Sequence, residues 1–167
     1  KVTAPDGVAN AWFGYYTSLS GNILTVGGNY DEGSSYTASG VHFYRVESNG
    51  TINYLQKVMF SHGGSTNRSL NVTQYGDLLG IGSRKASYSY GDRYHSGAVS
   101  LFRVESNGSV TFIQDFVAFD AGREDFYGHS LSLSGDQLLV GASGVSVVGT
   151  THYAGAAYLY DIGRIAN

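Results

Sequence analysis

Ten Lys and Arg against thirteen Asp and Glu leave this 167-residue chain at −3, with no basic surplus to hold a nucleic acid. Its longest mostly apolar stretch, residues 138–148, is broken by Gly and Ser and too short to cross a bilayer, so membrane insertion is not expected either. Charged residues make up only 14%; 24 Gly, 14 Tyr and many Ser and Thr stand in their place, the balance of an all-β protein with many short strands.

The chain opens on Lys1-Val2-Thr3-Ala4, which matches Lys57-Val-Met-Phe60 further on. A first residue that is Lys rather than Met predicts processing from a longer precursor. Trp12-Phe13-Gly14 follows, then Ser20-Gly-Asn-Ile-Leu-Thr-Val-Gly-Gly28. Gly21-Asn22 reads as a two-residue turn that closes a first strand onto a second at 23–26. A loop through Tyr30, Asp31 and Tyr36 leads to a third strand at 41–46. Asn49-Gly50, the strongest short hairpin signal, then sends the chain into a fourth at 51–60.

The same series recurs. Arg45-Val-Glu-Ser-Asn-Gly-Thr-Ile-Asn-Tyr54 returns 58 residues later as Arg103-Val-Glu-Ser-Asn-Gly-Ser-Val-Thr-Phe112. Tyr75-Gly-Asp-Leu-Leu-Gly-Ile-Gly-Ser83 and Ser134-Gly-Asp-Gln-Leu-Leu-Val-Gly-Ala142 repeat the turn and second strand, here at 78–81 and 138–140. Third strands are expected at 98–104 and 156–160, and a fourth at 109–119. Phe126-Tyr127-Gly128 repeats the aromatic-glycine pair, while the middle copy departs with Thr66-Asn67-Arg68-Ser69. The chain thus reads as one repeat domain, with copies at about 1–56, 57–114 and 115–167. No stretch has a helical period. Four antiparallel strands per copy is the make-up of a β-propeller blade, so three four-stranded blades are expected. The pairs Gly27-Gly28, Gly82-Ser83 and Gly141-Ala142 then fall where neighbouring blades would crowd.

Aromatic-Gly, Ser-Leu-Ser-Gly-Asp136, Val140-Gly-Ala142 and Gly155-Ala156 together resemble the FG-GAP repeat of integrin α-chain propellers. The resemblance implies a β-propeller, usually extracellular and engaged in adhesion or ligand recognition, often with calcium in an Asp-rich loop. That loop has no counterpart here. Residues 15–26 hold no Asp, and the matching intervals offer only Asp77 and Asp136, too few oxygens for calcium. No metal and no cofactor are expected.

Propellers close with four to eight blades, so three copies predict a partner. The expectation is a homo-oligomer, either a dimer that completes six blades or an open assembly, with a piece of a longer propeller as the alternative. The absence of cysteine leaves redox compartment open. Low charge, and the sequons at Asn49, Asn67, Asn71 and Asn107, favour an extracellular, secreted setting.

Aromatic residues collect in the loops before each third strand, where binding groups usually lie on a rigid scaffold. Asp31, Tyr36, Tyr90, Arg93, Tyr94, His95, His152 and Tyr153 are the expected ligand-binding residues, because a tyrosine offers a flat face and a hydroxyl to a sugar ring or a protein. The competing reading packs these tyrosines between blades. Asp120, Glu124, Asp125 and His129 form the densest ionisable cluster, read as a solvated loop rather than a glycosidase pair. No zinc-ligand spacing and no nucleophile elbow occur, so no catalytic residue is expected. The sequence therefore predicts an extracellular, non-catalytic binding or adhesion module for a glycan or protein ligand. A subunit that self-assembles through exposed blade edges is the alternative, and an enzyme built around Asp125 the third reading.

Overall fold

The computed structural model describes residues 1–7, 11–31, 37–60, 70–86, 94–105, 107–146 and 153–165, with the backbone alone at 29–31, 37–39 and 60. Among these there is no helix, and the chain folds into three antiparallel sheets. Blade 1 holds β1 (Tyr16–Ser20), β2 (Ile23–Asp31), β3 (Thr37–Val46) and β4 (Ile52–Phe60) in sequential order. Blade 2 repeats it with β5 (Leu70–Tyr75), β6 (Leu78–Ser83), β7 (Ala98–Val104) and β8 (Val110–Phe116). Blade 3 has β9 (Tyr127–Ser134), β10 (Gln137–Ala142) and β11 (Ala156–Asp161). Four strands were expected in every blade; among the described residues blade 3 has three, with β11 as an edge.

Each Gly-Asn or Gly-Asp dipeptide closes a two-residue hairpin. Ser20 pairs with Ile23, Tyr75 with Leu78 and Ser134 with Gln137. Gly21, Gly76 and Gly135 have φ of 55°, 59° and 55°, whereas the residue after each does not turn positive. This is the type II′ pattern, which places glycine first and matches the strand twist. The Asn-Gly turns differ. Glu47 donates its N–H to the Thr51 carbonyl at 2.8 Å, leaving a three-residue loop with Gly50 in the left-handed region at 81°. Asn49 Oδ1 accepts the Thr51 N–H at 2.9 Å and holds that loop.

The blades stack face to face through their first and second strands. Leu79, Ile81 and Phe102 of blade 2 pack with Val41 and Phe43 of blade 1. Its other face, with Leu78, Val99 and Leu101, packs on Leu133, Leu138 and Val140 of blade 3. Both faces of β6 are therefore buried along its whole length, while β10 alternates between buried and open. Polar contacts fix the stacking: Thr25 Oγ1 donates to Gln74 Oε1 at 3.0 Å, and the Leu70 N–H donates to Tyr16 Oη at 2.7 Å. At Gly28 and Gly82 the crowding is caused by backbone, at Gly27 and Gly141 by the side chains of Tyr16 and Ser130 on the neighbouring strand. A Cβ on Gly82 would strike the Gly128 carbonyl of the next blade, and one on Gly28 would lie 2.5 Å from the Ala11 carbonyl oxygen.

Candidate functional site

In blades 1 and 2 the second strand ends, the third begins and the fourth ends at one end of the sheet; the tight hairpins lie at the other. Blade 2 and blade 3 are joined at the loop end by a short backbone seam. Glu124 donates its N–H to the Tyr94 carbonyl at 2.9 Å, Phe126 to His95 at 3.2 Å and Tyr127 to Ser96 at 2.9 Å. Gly97 completes the seam in a parallel bridge with Tyr127, at φ of 90° and too close to the Tyr127 backbone to carry a Cβ.

The seam brings side chains from three loops together. The Tyr94 and His95 rings lie with centroids 3.7 Å apart, and His95 meets Phe126 at 6.3 Å. Arg123 sets its guanidinium carbon 5.7 Å from the centre of the Tyr94 ring. The Tyr153 hydroxyl donates to Glu124 Oε2 at 3.2 Å, and Arg123 Nε lies 3.9 Å from Glu124 Oε1. Tyr94 and Tyr153 are exposed. His95, Glu124, Phe126 and Tyr153 all hold positive φ, between 54° and 63°, a conformation rare outside glycine that collects at functional sites.

Burial is the main cause that holds His95 below the ordinary histidine value; the cations Lys85, Arg123 and Arg84 add to it, and Glu124 opposes them. At neutral pH the ring therefore offers one hydrogen-bond donor and one acceptor. Glu124 adds a carboxylate beside two aromatic faces, so the rim pairs flat apolar surface with directed polar groups.

Of the residues expected to bind ligand, the structure brings Tyr94, His95 and Tyr153 to this rim. Asp31 closes β2 opposite Thr37, its side chain outside the described residues. Tyr36, Tyr90, Arg93 and His152 also lie outside the described residues. Arg123 was not singled out by sequence, Phe126 only as the repeat counterpart of Trp12, and Glu124 was assigned to the acidic cluster. That cluster does not converge. Asp125 is buried and accepts the Gly122 N–H at 2.6 Å, Asp120 accepts the Tyr158 hydroxyl at 2.8 Å, and His129 meets Ser143.

Among the described residues no three His, Asp or Glu side chains gather to hold a metal. The hairpin acid Asp77 pairs with Arg103 at 3.3 Å, and Asp136 lies beside Gly163. These residues do not fit the calcium that the fold implies. A groove of about 690 Å³ lies at the opposite end, between the hairpins of blades 1 and 2, lined by Asn22, Arg45, Asp77 and Glu105. Its Asp77 is already ion-paired, and it gathers no aromatic face.

Stacked antiparallel sheets of four, four and three strands among the described residues define a blade-repeat scaffold of the propeller type. The chain belongs to the FG-GAP repeat family, whose sequence model matches residues 1–43 and 110–160. The match covers blade 1 into β3 and resumes at β8, so it passes over most of the middle copy, which lacks the aromatic-glycine pair. Such repeats are generally non-catalytic and occur mainly in extracellular or integrin-like proteins. No curated protein matches the chain.

Proposed function

We infer that this chain is an extracellular, non-catalytic recognition module that binds a glycan at the rim formed by Tyr94, His95, Arg123, Glu124 and Tyr153. The observation that carries this reading is the pairing of two exposed tyrosine rings with the Glu124 carboxylate, which already accepts a hydroxyl from Tyr153. Sugar rings present an apolar face to an aromatic ring and hydroxyls to carboxylates, so this set of groups suits them. The dispersal of Asp120, Glu124, Asp125 and His129 among separate partners supports a binding role over hydrolysis.

Glycan-array screening followed by calorimetry tests the reading. Wild-type protein should bind a defined set of glycans, and Tyr94→Ala and Tyr153→Ala should each abolish that binding without loss of β circular dichroism. Retention of binding in both variants would exclude this rim. Glycoside hydrolysis that disappears in Asp125→Asn would replace the reading with an enzyme.

A further inference from the structure

Cross-strand register places Phe43, Leu101 and Leu159 at one equivalent position of the third strand, opposite Thr25, Gly80 and Leu139 of the second. Phe43 and Leu101 are 0% exposed, each covered by the blade that follows; Leu159 is 63% exposed. Leu139 beside it is exposed too, and the same face continues over Ser132, Gly141 and Ala157. At the other end of the stack, Leu19 pairs with Leu24 as Leu133 pairs with Leu138. Leu133 lies over Gly80 of the preceding blade and is 7% exposed, whereas Leu19 is 65% exposed.

The lead-in to blade 1 is also shaped for the contact that blade 3 makes. Trp12 and Gly14 have φ of 48° and 94°, against 54° and 85° at Phe126 and Gly128. Phe13 meets His42 and Tyr44 edge-on at 5.4 and 6.3 Å, as Tyr127 meets Tyr158 and Tyr160 at 5.3 and 6.5 Å. Gly128 seats on Gly82 in the junction of blades 2 and 3, and Gly141 is the register equivalent of Gly82. The outer faces of the stack thus carry the two halves of a junction the chain already makes internally.

We propose that a second copy of this chain docks head to tail, its blade 1 on the outer face of blade 3, with its Leu19 over Leu139 and Leu159. Trp12 of that copy then meets Tyr153 as Phe126 meets His95, since Tyr153 and His95 share a positive φ two residues before Gly155 and Gly97. The junction is heterologous, because different surfaces of the two copies meet. It does not rest on the glycan reading: Leu19, Leu139 and Leu159 lie outside the rim, and Tyr153 is the residue that the two share.

Light scattering on a size-exclusion column tests it. Wild-type protein should run at twice the 17.8 kDa chain mass or a higher multiple. Leu19→Asp and Leu159→Asp should each run as one chain with unchanged circular dichroism. Their equimolar mixture should return a one-to-one complex, because each keeps one intact face. A wild-type monomer at the highest attainable concentration overturns the proposal. So does a Leu19→Asp variant that still dimerises, which would mean edge pairing of identical surfaces, or a mixture that stays monomeric. If either Asp variant unfolds, Leu19→Ser and Leu159→Ser carry the same comparison. Glycan binding measured on the monomeric variants separates failure of the junction from failure of the rim.

Discussion

The Tyr153 hydroxyl reaches Glu124 Oε2 at 3.2 Å across 29 residues of sequence, tying the loop of one blade to the lead-in that joins it to the blade before. Glu124 also takes its backbone N–H to Tyr94, so one residue couples all three loops of the rim. Its positive φ of 62° is what allows the backbone to face one loop while the carboxylate faces another.

Removing this bond should weaken recognition far more than folding. Tyr153→Phe and Glu124→Gln are each expected to reduce glycan affinity by roughly tenfold, the value of one charge-assisted hydrogen bond. Stability should change by less than about 1 kcal/mol, since the pair is exposed. Calorimetry and urea denaturation on the same samples check both halves; a stability loss without an affinity loss would make the bond purely structural.

Gly97 and Gly82 test the blade seam. Gly97→Ala meets the Tyr127 backbone and must also hold φ of 90°, so a loss above about 3 kcal/mol is expected. Gly82→Ala has no unfavourable φ and meets one carbonyl, that of Gly128, and should cost about 1–3 kcal/mol. Denaturant midpoints in that order identify the seam as the tighter constraint.

Much of this architecture is written locally. The Gly-Asn and Gly-Asp dipeptides marked the tight hairpins because a type II′ turn needs glycine first, and the residues after them alternate or run apolar as strands must. The Asn-Gly pairs were less literal: Gly50 occupies the left-handed position of a three-residue loop rather than half of a two-residue one. The rim was legible only in part. Tyr94, His95 and Tyr153 stood out as aromatic loop residues, but Arg123 and Glu124 reach them through an inter-blade seam of backbone hydrogen bonds, which leaves no periodicity in sequence. Phe126 had a signal, its match to Trp12, whose meaning depends on a φ that letters do not show.

Leu101 and Leu159 offer a matched pair of truncations at one repeat position. In the monomeric Leu19→Asp background, Leu101→Ala should cost about 2–5 kcal/mol, because blade 3 covers it completely and a cavity remains. Leu159→Ala in the same background should stay within about 0.5 kcal/mol, being open to water. Equal losses would mean that blade 3 is covered in the isolated chain.

His42 makes the fold acid-sensitive from an early point. Its ring is buried against Phe13, Tyr44 and Tyr54, and that burial lowers its pKa; Lys57 lowers it further, while Asp6 opposes. A histidine with a depressed folded value binds its proton more readily unfolded, so stability falls as pH drops through the ordinary value of about 6.5 and on through the folded one. Asp6 acts lower down. Partial burial would raise its pKa, but the Lys57 hydrogen bond at 2.9 Å and the charges of Lys57 and His42 hold it below the usual carboxylate value. Its contribution is present above about pH 4 and fades as pH falls through that depressed value. Urea denaturation from pH 8 to 3 should therefore show two separate losses. In His42→Phe the loss between pH 7 and 5 should shrink, while the Asp6 step below pH 4 persists. In Lys57→Met the lower step should weaken instead.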